Sequence, residues 1–237
     1  MSGGVASTSS VPAIDIADLV FGYKTGETIL SIDSFQVVRG ERVFLHGPSG
    51  SGKTTLLGIL AGILVPASGR VRLLGEDLPG MSSGARDLFR GAHIGYIFQM
   101  FNLIPYLSVL DNILLPCRLM PERQARVAGD LEAEAHRIAA ALEIEALLER
   151  SVAELSVGQQ QRVAAARAFA GAPELIIADE PTSALDTDLR DRFLELLLKS
   201  AEDANMTVVF VSHDHTLKAR FDRDVSLKSL QKQGAVA

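Results

Sequence analysis

The sequence contains, at residues 47–54, the stretch Gly47-Pro48-Ser49-Gly50-Ser51-Gly52-Lys53-Thr54. A short apolar run at residues 43–45 precedes it, and a segment of helical character at residues 54–61 follows it. This strand–turn–helix context distinguishes a phosphate-binding loop from an ordinary glycine turn, because the backbone N–H groups of the turn form a concave donor nest at the positive end of the helix. The stretch therefore predicts a nucleoside triphosphate site, in which Lys53 bridges the β- and γ-phosphates and the Thr54 hydroxyl ligates Mg²⁺.

The bulk composition is typical of a globular chain that forms one large domain, or a core with an inserted subdomain. The chain has 237 residues, of which 47% are hydrophobic and 22% are charged. Its net charge of −6 argues against an extended nucleic-acid surface, which needs a basic patch, so we expect no nucleic-acid partner. The single cysteine, Cys117, cannot form an internal disulfide, which favours a reducing compartment.

The sequence shows neither a membrane-spanning pattern nor an export signal. No run approaches the roughly 20 apolar residues of a transmembrane helix. Residues 1–10 have neither the cationic start nor the apolar core of a signal peptide. We therefore expect the chain in the cytoplasm, unless another protein holds it to a membrane.

Apolar patterns divide the chain into a small antiparallel layer and a parallel core. Residues 1–12 are small and polar, and they predict a flexible tail. The antiparallel layer is predicted from strand patterns at residues 13–21, 29–38 and 70–74. The parallel core is predicted from strand patterns at residues 93–98, 175–178 and 206–211. Residues 186–199 follow the pattern of an amphipathic helix.

The sequence changes to a helical character between about residues 84 and 155. Residues 122–150 are rich in Ala, Glu and Arg and predict one long helix. The apolar stripe of this helix is formed by Leu131, Ala135, Ile138, Leu142 and Ala146.

Two acidic residues, Asp179 and Glu180, end the apolar run at residues 175–178. A strand-end pair of acids is weak evidence on its own, since surface turns are rich in acids, but it gains weight in a chain with a phosphate-binding loop. In phosphate-loop ATPases such an aspartate anchors Mg²⁺, and the next carboxylate can polarise the attacking water.

A second candidate anion site lies at Leu155-Ser156-Val157-Gly158-Gln159-Gln160-Gln161-Arg162. Ser156 and Gln159 fit a capping box, in which each side chain accepts a hydrogen bond from the backbone N–H of the other residue. One interpretation is simply a well-capped helix. The functional interpretation is a helix start whose hydroxyl, amides and dipole face a phosphate.

Together these motifs resemble those of ATP-binding-cassette (ABC) transporter ATPases, in order and spacing, over about residues 13–227. The motifs are the phosphate loop, Gln99, L-S-x-G-Q, L-I-I-A-D-E, Ser183-Ala184-Leu185-Asp186 and Ser212-His213. The region from Gln99 to Ile113 is most similar to the branch of lipoprotein-release, macrolide-export and cell-division ATPases. The permeases of that branch transmit motion across the membrane.

The resemblance implies a role for each matching residue. Tyr23 would stack on adenine, Glu180 would be the general base and His213 would sense the γ-phosphate. Gln99 would ligate Mg²⁺ and sense the γ-phosphate, and Asp186 would lie at a dimer interface. The implied Mg²⁺ ligands are Thr54, Gln99 and Asp179. The implied nucleotide-binding residues are Tyr23, Gly47, Pro48, Ser49, Gly50, Ser51, Gly52, Lys53, Thr54, Thr55, Ser156, Gly158, Gln159 and Asp186.

Val157 departs from the usual L-S-G-G-Q signature of the family, in which glycine occupies this position. Glycine tolerates a positive φ and a close approach of phosphate, whereas a β-branched residue does not. Either the backbone at Val157 has an ordinary φ, or this half of the site is weakened. We favour the first alternative, because Gly158 and the helix cap are intact.

An apolar cluster could form a groove for a cytoplasmic helix of a permease, although core packing would produce the same composition. The cluster consists of Phe101, Leu103, Ile104, Tyr106 and Leu107.

The sequence thus predicts an α/β phosphate-loop nucleoside triphosphatase with a RecA-like parallel-sheet core. An N-terminal antiparallel β layer and a helical subdomain at about residues 84–170 would complete an ATPase domain at residues 13–230, followed by a tail at 231–237. The resemblance implies a homodimer that hydrolyses ATP with Mg²⁺ and acts on a permease at the inner face of the membrane. The alternatives are a cassette acting on DNA or ribosomes, and a regulatory cassette without turnover.

Overall fold

The computed structural model describes residues 11–23, 27–183 and 185–232. The predicted tails at residues 1–12 and 231–237 lie largely outside this part of the chain. The strands are β1 (Ile14–Gly22), β2 (Thr28–Val37), β3 (Arg42–His46), β4 (Ser68–Leu73), β5 (Glu76–Asp77), β6 (Ile94–Ile97), β7 (Leu175–Asp179), β8 (Thr207–Val211) and β9 (Arg223–Ser226). The helices are α1 (Lys53–Leu60), α2 (Ser83–His93), α3 (Val109–Leu119), α4 (Pro121–Arg126), α5 (Leu131–Ala141), α6 (Val157–Phe169), α7 (Thr187–Asp203) and α8 (Leu227–Leu230).

A parallel sheet with the strand order β6-β7-β8-β3-β9 forms the centre of the molecule. Its central strands β7 and β8 are buried along almost their whole length because both faces of the sheet are covered there. In β7, Leu175 and Ile177 pack on one face, whereas Ile176 and Ala178 pack on the other. The pairing of Leu45 with Val211, and of Asp179 with the same Val211, brings the carboxyl ends of β3, β7 and β8 to one edge.

An antiparallel sheet with the strand order β2-β1-β4-β5 packs beside this core. Ile16 of β1 pairs with Phe35 of β2 on one side and with Val71 of β4 on the other. The inner side chains of this sheet share a buried cluster with α1, whose Leu56 and Leu57 are fully buried. The antiparallel layer and the parallel core predicted from the sequence are therefore confirmed.

Helices α3, α5, α6 and α7 cover the other face of the parallel sheet. The prediction of one long helix at residues 122–150 is wrong, because the chain breaks there into α4, α5 and a short 3-10 turn at Glu145–Leu147. Gly129 has φ +100° and Asp130 caps α5, while Glu143 has φ +58°, so both breaks use left-handed backbone. Ala146 of the predicted apolar stripe is exposed.

Two elements carry no clear signal in the sequence. Helix α3 contains Pro116 in its interior, and β9 is a short strand with only Val225 buried. Strand β9 nevertheless adds to the edge of the parallel sheet by pairing with β3, from Val43↔Arg223 to His46↔Ser226. Within the described ranges, no helix has the length and apolar character needed to cross a membrane.

Candidate active site

A cleft of about 410 Å³ opens at the carboxyl-terminal edge of the parallel sheet. This is where ligands bind in open α/β sheets, because the loops that follow the strands meet there. The cleft is lined by Ile29, Ser49, Gly50, Gly52, Lys53, Thr54, Thr55, Gln99, Asp179, Glu180, Ser183 and His213. The structure thus brings together the predicted phosphate loop, the predicted magnesium ligands and the predicted catalytic residues.

The phosphate loop depends on glycine at two positions. Gly50 has φ +77° and Gly52 has φ +93°, values that favour glycine over other residues. A Cβ atom on Gly52 would lie 2.7 Å from Leu30 Cδ2, so a side chain would also clash with β2. Gly52 is the N-cap of α1, and the loop therefore wraps closely over the positive end of that helix.

Lys53 holds its ammonium group across the loop. Its Nζ atom donates hydrogen bonds to the Gly47 carbonyl at 2.8 Å and to the Pro48 carbonyl at 3.0 Å. The cation is therefore positioned by the same backbone whose amides form the nest, which suits it to bind the outer phosphates of a nucleotide.

Oxygen ligands suited to Mg²⁺ line one side of the cleft. They are the Thr54 hydroxyl, the Gln99 amide and the Asp179 carboxylate, and Mg²⁺ prefers such hard oxygen donors. Burial and then the nearby Glu180 carboxylate raise the pKa of Asp179, whereas Lys53 opposes the rise. A divalent cation would offset that crowding of negative charge. Within the described ranges, no cluster of three or more His, Cys, Asp or Glu side chains could hold a metal ion, so the residues fit a cation that shares its ligands with phosphate rather than a closed protein cage.

Glu180 occupies a strained position beside His213. Its backbone has φ +46°, which is uncommon for a residue other than glycine, and its N–H donates to the Val211 carbonyl at 3.0 Å. Its carboxylate lies 2.8 Å from His213 Nδ1 and accepts a longer hydrogen bond from the His213 backbone N–H. The strand ends thus aim this carboxylate into the cleft and fix its orientation.

Tyr23 lies at the rim of the cleft, directly after β1. It is 51% exposed, and its ring packs edge-on against Phe21 with a centroid distance of 5.1 Å. Its hydroxyl lies 3.4 Å from Thr55 Oγ1, and Thr55 lines the cleft. An exposed aromatic face next to the phosphate loop can therefore meet a base.

The predicted capping box at the start of α6 is formed, and it lies apart from the cleft. The Ser156 hydroxyl accepts a hydrogen bond from the Gln159 N–H at 3.3 Å, and Gln159 Oε1 accepts one from the Ser156 N–H at 3.0 Å, so the capping box is confirmed. Asp186 instead caps α7 by accepting from the Leu189 N–H. As far as the described residues go, the lining of the cleft contains none of Ser156, Gly158, Gln159 and Asp186.

Val157 has ordinary helical geometry. It is the first residue of α6 and is 48% exposed, and it is not among the described residues with positive φ. The alternative favoured from the sequence, an ordinary φ at this position, is therefore confirmed. A Cβ atom on Gly158 would make only ordinary contacts, the nearest at 3.8 Å to Leu185.

Sequence reasoning missed part of the surroundings of the loop. Ser183 and Ile29 line the cleft although neither was predicted as a site residue. A second cavity of about 510 Å³ adjoins the cleft and shares Lys53, Glu180 and His213 with it, and its wall also includes His215 and Lys228. Lys228 belongs to α8, which follows the unpredicted strand β9, so no sequence signal pointed to it.

The apolar cluster predicted at residues 101–107 is divided between core and surface. Tyr106 is 84% exposed, and Leu103, Ile104 and Leu107 are half-buried. Phe101 is only 9% exposed and packs in the core that underlies α3 and α6, and its carbonyl accepts a hydrogen bond from Arg167. A different apolar cavity, of about 270 Å³, opens nearby on the surface. We call this cavity the lateral groove; it is lined by Ile63, Arg90, Gly91, Ile94, Gly95, Tyr96, Phe98, Pro116, Leu119, Met120, Arg123, Arg167 and Ala168.

Comparisons with known proteins agree with this site. A sequence model described as ABC transporter matches residues 30–183. The ABC transporter ATP-binding protein YbbA of Escherichia coli K12 is 41% identical over 206 residues, which are 87% of this chain and 89% of YbbA. The lipoprotein-releasing system ATP-binding protein LolD of Anaeromyxobacter dehalogenans is 36% identical over 226 residues, which are 94% of this chain and 93% of LolD.

A solved structure extends the likeness to three dimensions. It is a dimeric, post-hydrolysis state of the ATP-binding cassette MJ0796 bound to ADP and Pi. It matches with a TM-score of 0.80 at 33% identity, and the match covers 94% of this chain and 96% of that one. Sequence, fold and cleft agree: the chain belongs to the ABC transporter family and is one of its ATP-binding cassettes, an ATPase with the phosphate-loop fold.

Proposed function

We propose that this cassette is a homodimeric motor that closes on ATP, opens after hydrolysis and thereby drives a membrane permease. The observation that carries the proposal is the division of phosphate-facing groups between two places on one chain. The cleft contains the phosphate loop and Glu180, whereas Ser156 at the start of α6 lies outside the lining. Two copies in head-to-tail orientation would enclose each nucleotide between the loop of one chain and Ser156 of the other. The dimeric state of MJ0796 supports this arrangement.

We infer that ATP binds in the cleft with Mg²⁺. Gly47 to Thr55 would surround the phosphates, and Thr54, Gln99 and Asp179 would hold the cation. When bound, Mg²⁺ would neutralise charge that develops on the phosphates. Lys53, already held over the loop by two carbonyls, would add a second positive charge.

Glu180 would act as the general base for hydrolysis. A water oxygen attacks the γ-phosphorus, the bond to the ADP oxygen breaks, and the water proton passes to the Glu180 carboxylate. His213 holds that carboxylate through Nδ1. Because its side chain also lines the cleft, His213 would contact the γ-phosphate of a bound nucleotide. Tyr23 would stack on adenine, because its exposed ring lies beside Thr55.

The lateral groove would receive a cytoplasmic helix of the permease. Its exposed apolar wall includes Leu119, which is 63% exposed, and Ile63, which is 59% exposed. Arg90, which is paired with Asp87, and Arg167, which donates to the Phe101 and Asn102 carbonyls, also line the groove. An apolar helix with an acidic residue at one end would complement this lining. A permease helix in this groove would place the cassette at the inner face of the membrane. Similarity to LolD favours a permease of the export or mechanotransmission type.

The lateral groove and the helices around it would form the moving part of the cassette. We propose that residues 13–230 act as one ATPase unit, in which about residues 84–170 are the inserted helical part. A cassette acting on DNA or ribosomes is the alternative, and the net charge of −6 speaks against it.

Phosphate release by the purified chain, with and without a permease, tests this function. The candidate permease is the membrane protein that co-purifies with the chain from detergent-solubilised membranes. We expect the chain alone to hydrolyse ATP and the complex to change that rate. Turnover that responds to DNA or ribosomes and ignores the membrane partner would contradict the proposal.

A further inference from the structure

The chain returns to the phosphate loop after its last strand. We call residues 227–232 the C-terminal strap: α8 followed by Gln231 and Lys232. Gln231 Nε2 donates a hydrogen bond to the backbone carbonyl of Ser51 at 3.0 Å, and Ser51 is an interior residue of the loop. No motif in the sequence points to this contact.

The strap is fixed at both of its ends. Gln231 forms an antiparallel bridge with Ile32 of β2, and the Lys232 N–H donates to the Ser31 carbonyl at 2.8 Å. The Lys232 ammonium pairs with Asp33 at 2.6 Å. At the other end, Leu227 is fully buried beneath the loop, where a Cβ atom on Gly47 would lie 3.5 Å from it.

A hydrogen bond to the Ser51 carbonyl controls the next amide. The Ser51 C=O and the Gly52 N–H belong to one planar trans peptide, so the two groups point in opposite directions. When Gln231 holds the oxygen on the strap side, the Gly52 N–H must face the opposite side of the peptide. A hydrogen bond to a peptide oxygen also strengthens the N–H of the same peptide as a donor.

The backbone on both sides of Ser51 is in the left-handed region. Gly52 has φ +93° and Gly50 has φ +77°, so glycines with wide conformational freedom flank Ser51 on both sides. Leu30 of β2 packs against Gly52 on one side and Gln231 holds Ser51 on another. Leu30 lies on β2, and Gln231 is tied to the same strand through its bridge with Ile32, so both contacts that limit rotation of the Ser51–Gly52 peptide depend on β2.

We propose that Gln231 is a positioning residue for the phosphate loop: its carboxamide holds the Ser51–Gly52 peptide so that the Gly52 N–H faces the nucleotide phosphates. The proposal rests on the assignment of residues 47–54 as the nucleotide site. It predicts a loss of affinity for nucleotide rather than of chemistry, because an amide that holds phosphate in both the ground state and the transition state contributes uniform binding.

The test compares Gln231→Leu, which removes the hydrogen bond, with Gln231→Glu, which keeps the size but replaces the donor by an acceptor. Gln36→Leu is the matched control, since the Gln36 carboxamide also donates a hydrogen bond, but from β2 to Asp15 on the exposed surface. We expect KM for ATP to rise roughly fivefold to tenfold in both Gln231 variants, as for one lost hydrogen bond, with kcat nearly unchanged. The Gly52 amide resonance of the ¹⁵N-labelled chain should move in both variants and stay in place in the control.

A folded Gln231 variant with wild-type KM and an unmoved Gly52 resonance would overturn the proposal. If Gln231→Leu does not fold, Gln231→Glu decides alone. Lys53→Ala distinguishes failure of the proposed role of Gln231 from failure of the site assignment. A loss of ATP affinity in Lys53→Ala would support the assignment of residues 47–54 as the nucleotide site. Unchanged affinity in Lys53→Ala would reject the loop assignment on which the role of Gln231 rests.

Discussion

At the scale of single residues, Glu180 combines backbone strain with a fixed carboxylate. A non-glycine residue at φ +46° persists only where its surroundings hold it, and here the Val211 carbonyl and His213 do so. We expect Glu180→Gln to bind ATP normally but to lower turnover by at least about 100-fold, because the amide keeps the shape and cannot accept the proton. Phosphate release and fluorescent-nucleotide titration on the same sample measure the two effects. Turnover near the wild-type rate would remove Glu180 from the role of base.

The Asp179 carboxylate should lower the stability of the nucleotide-free protein although Mg²⁺-dependent turnover requires it. Its pKa is raised chiefly by burial, so the folded protein holds the ionised carboxyl less favourably than the unfolded chain does. The protonated carboxyl is therefore the form that the fold favours. Its contribution to the free energy of unfolding is complete below the pKa of the unfolded chain and is lost as the pH rises through the pKa of the folded protein.

At neutral pH, Asp179→Asn should therefore raise the melting temperature of the nucleotide-free protein while it abolishes Mg²⁺-dependent turnover. The gain in melting temperature should shrink at acidic pH, where the wild-type carboxyl is itself protonated. A variant that melts below the wild type at neutral pH would show that other contacts of Asp179 outweigh its burial.

Tyr23 separates a stacking role from a hydrogen-bonding role. We expect Tyr23→Ala to weaken ATP binding by about 1–3 kcal/mol, the value for stacking a base on an aromatic side chain. Tyr23→Phe should be nearly neutral, although it loses the 3.4 Å contact with Thr55. Titration with ATP measures both variants, and equal losses in Phe and Ala would reject the adenine platform.

Most of the cleft could be predicted from the sequence. The motifs directly follow predicted strands, and the ends of parallel strands meet at the edge of the sheet where the cleft opens. Glu180 and Asp179 end an apolar run, so their place at the edge of the sheet follows directly. The left-handed backbone of Glu180 and its pairing with His213 could not be predicted, since they depend on the exact register of β7 and β8. The contact of Gln231 with Ser51 is equally invisible, because it joins residues 180 positions apart.

At the scale of elements, α6 links the predicted signature to the lateral groove. It begins at the capping box of Ser156, and a helix of 13 residues spans about 20 Å. At its other end, Arg123 of α4 donates hydrogen bonds to the Ala168 and Ala170 carbonyls while also lining the groove. We propose that a helix held at both ends in this way transmits a displacement from the groove to Ser156, where the second subunit would bind.

Substitution in the groove should separate coupling from folding. We expect Leu119→Asp to uncouple ATP hydrolysis from the permease while isolated ATPase activity and melting temperature stay close to wild type, because Leu119 is 63% exposed. Phe101→Asp is the contrasting variant, since it would bury a charge in the core and cost several kcal/mol of stability. Permease-stimulated phosphate release and thermal unfolding report the two effects. A Leu119→Asp complex that remains fully stimulated would exclude the groove as the docking surface.

Helices were predicted less well than strands. The long helix expected at residues 122–150 has a suitable composition throughout, yet Gly129, Asp130 and Glu143 divide it. Composition reports average propensity, whereas a single left-handed residue or a cap decides where a helix ends. Helix α3 was not predicted, because Pro116 lies in its interior and proline normally interrupts a helix.

At the scale of the whole molecule, one chain presents a phosphate loop and a separate capped helix start that both suit phosphate. We propose that one nucleotide meets both groups because they come from different subunits of a dimer. This in-trans arrangement requires that each composite site use Lys53 of one chain and Ser156 of its partner.

The most direct test is nucleotide occlusion by a mixed dimer of one Lys53→Ala subunit and one Ser156→Arg subunit. Each variant should fail to occlude ATP as a homodimer, because both of its sites carry a lesion. In the mixed dimer both lesions fall in the same site, which leaves the other site chemically intact. We expect purified mixed dimers to occlude ATP at one site. Mixed dimers of properly folded subunits that occlude none would contradict the in-trans arrangement and the closing motion that depends on it.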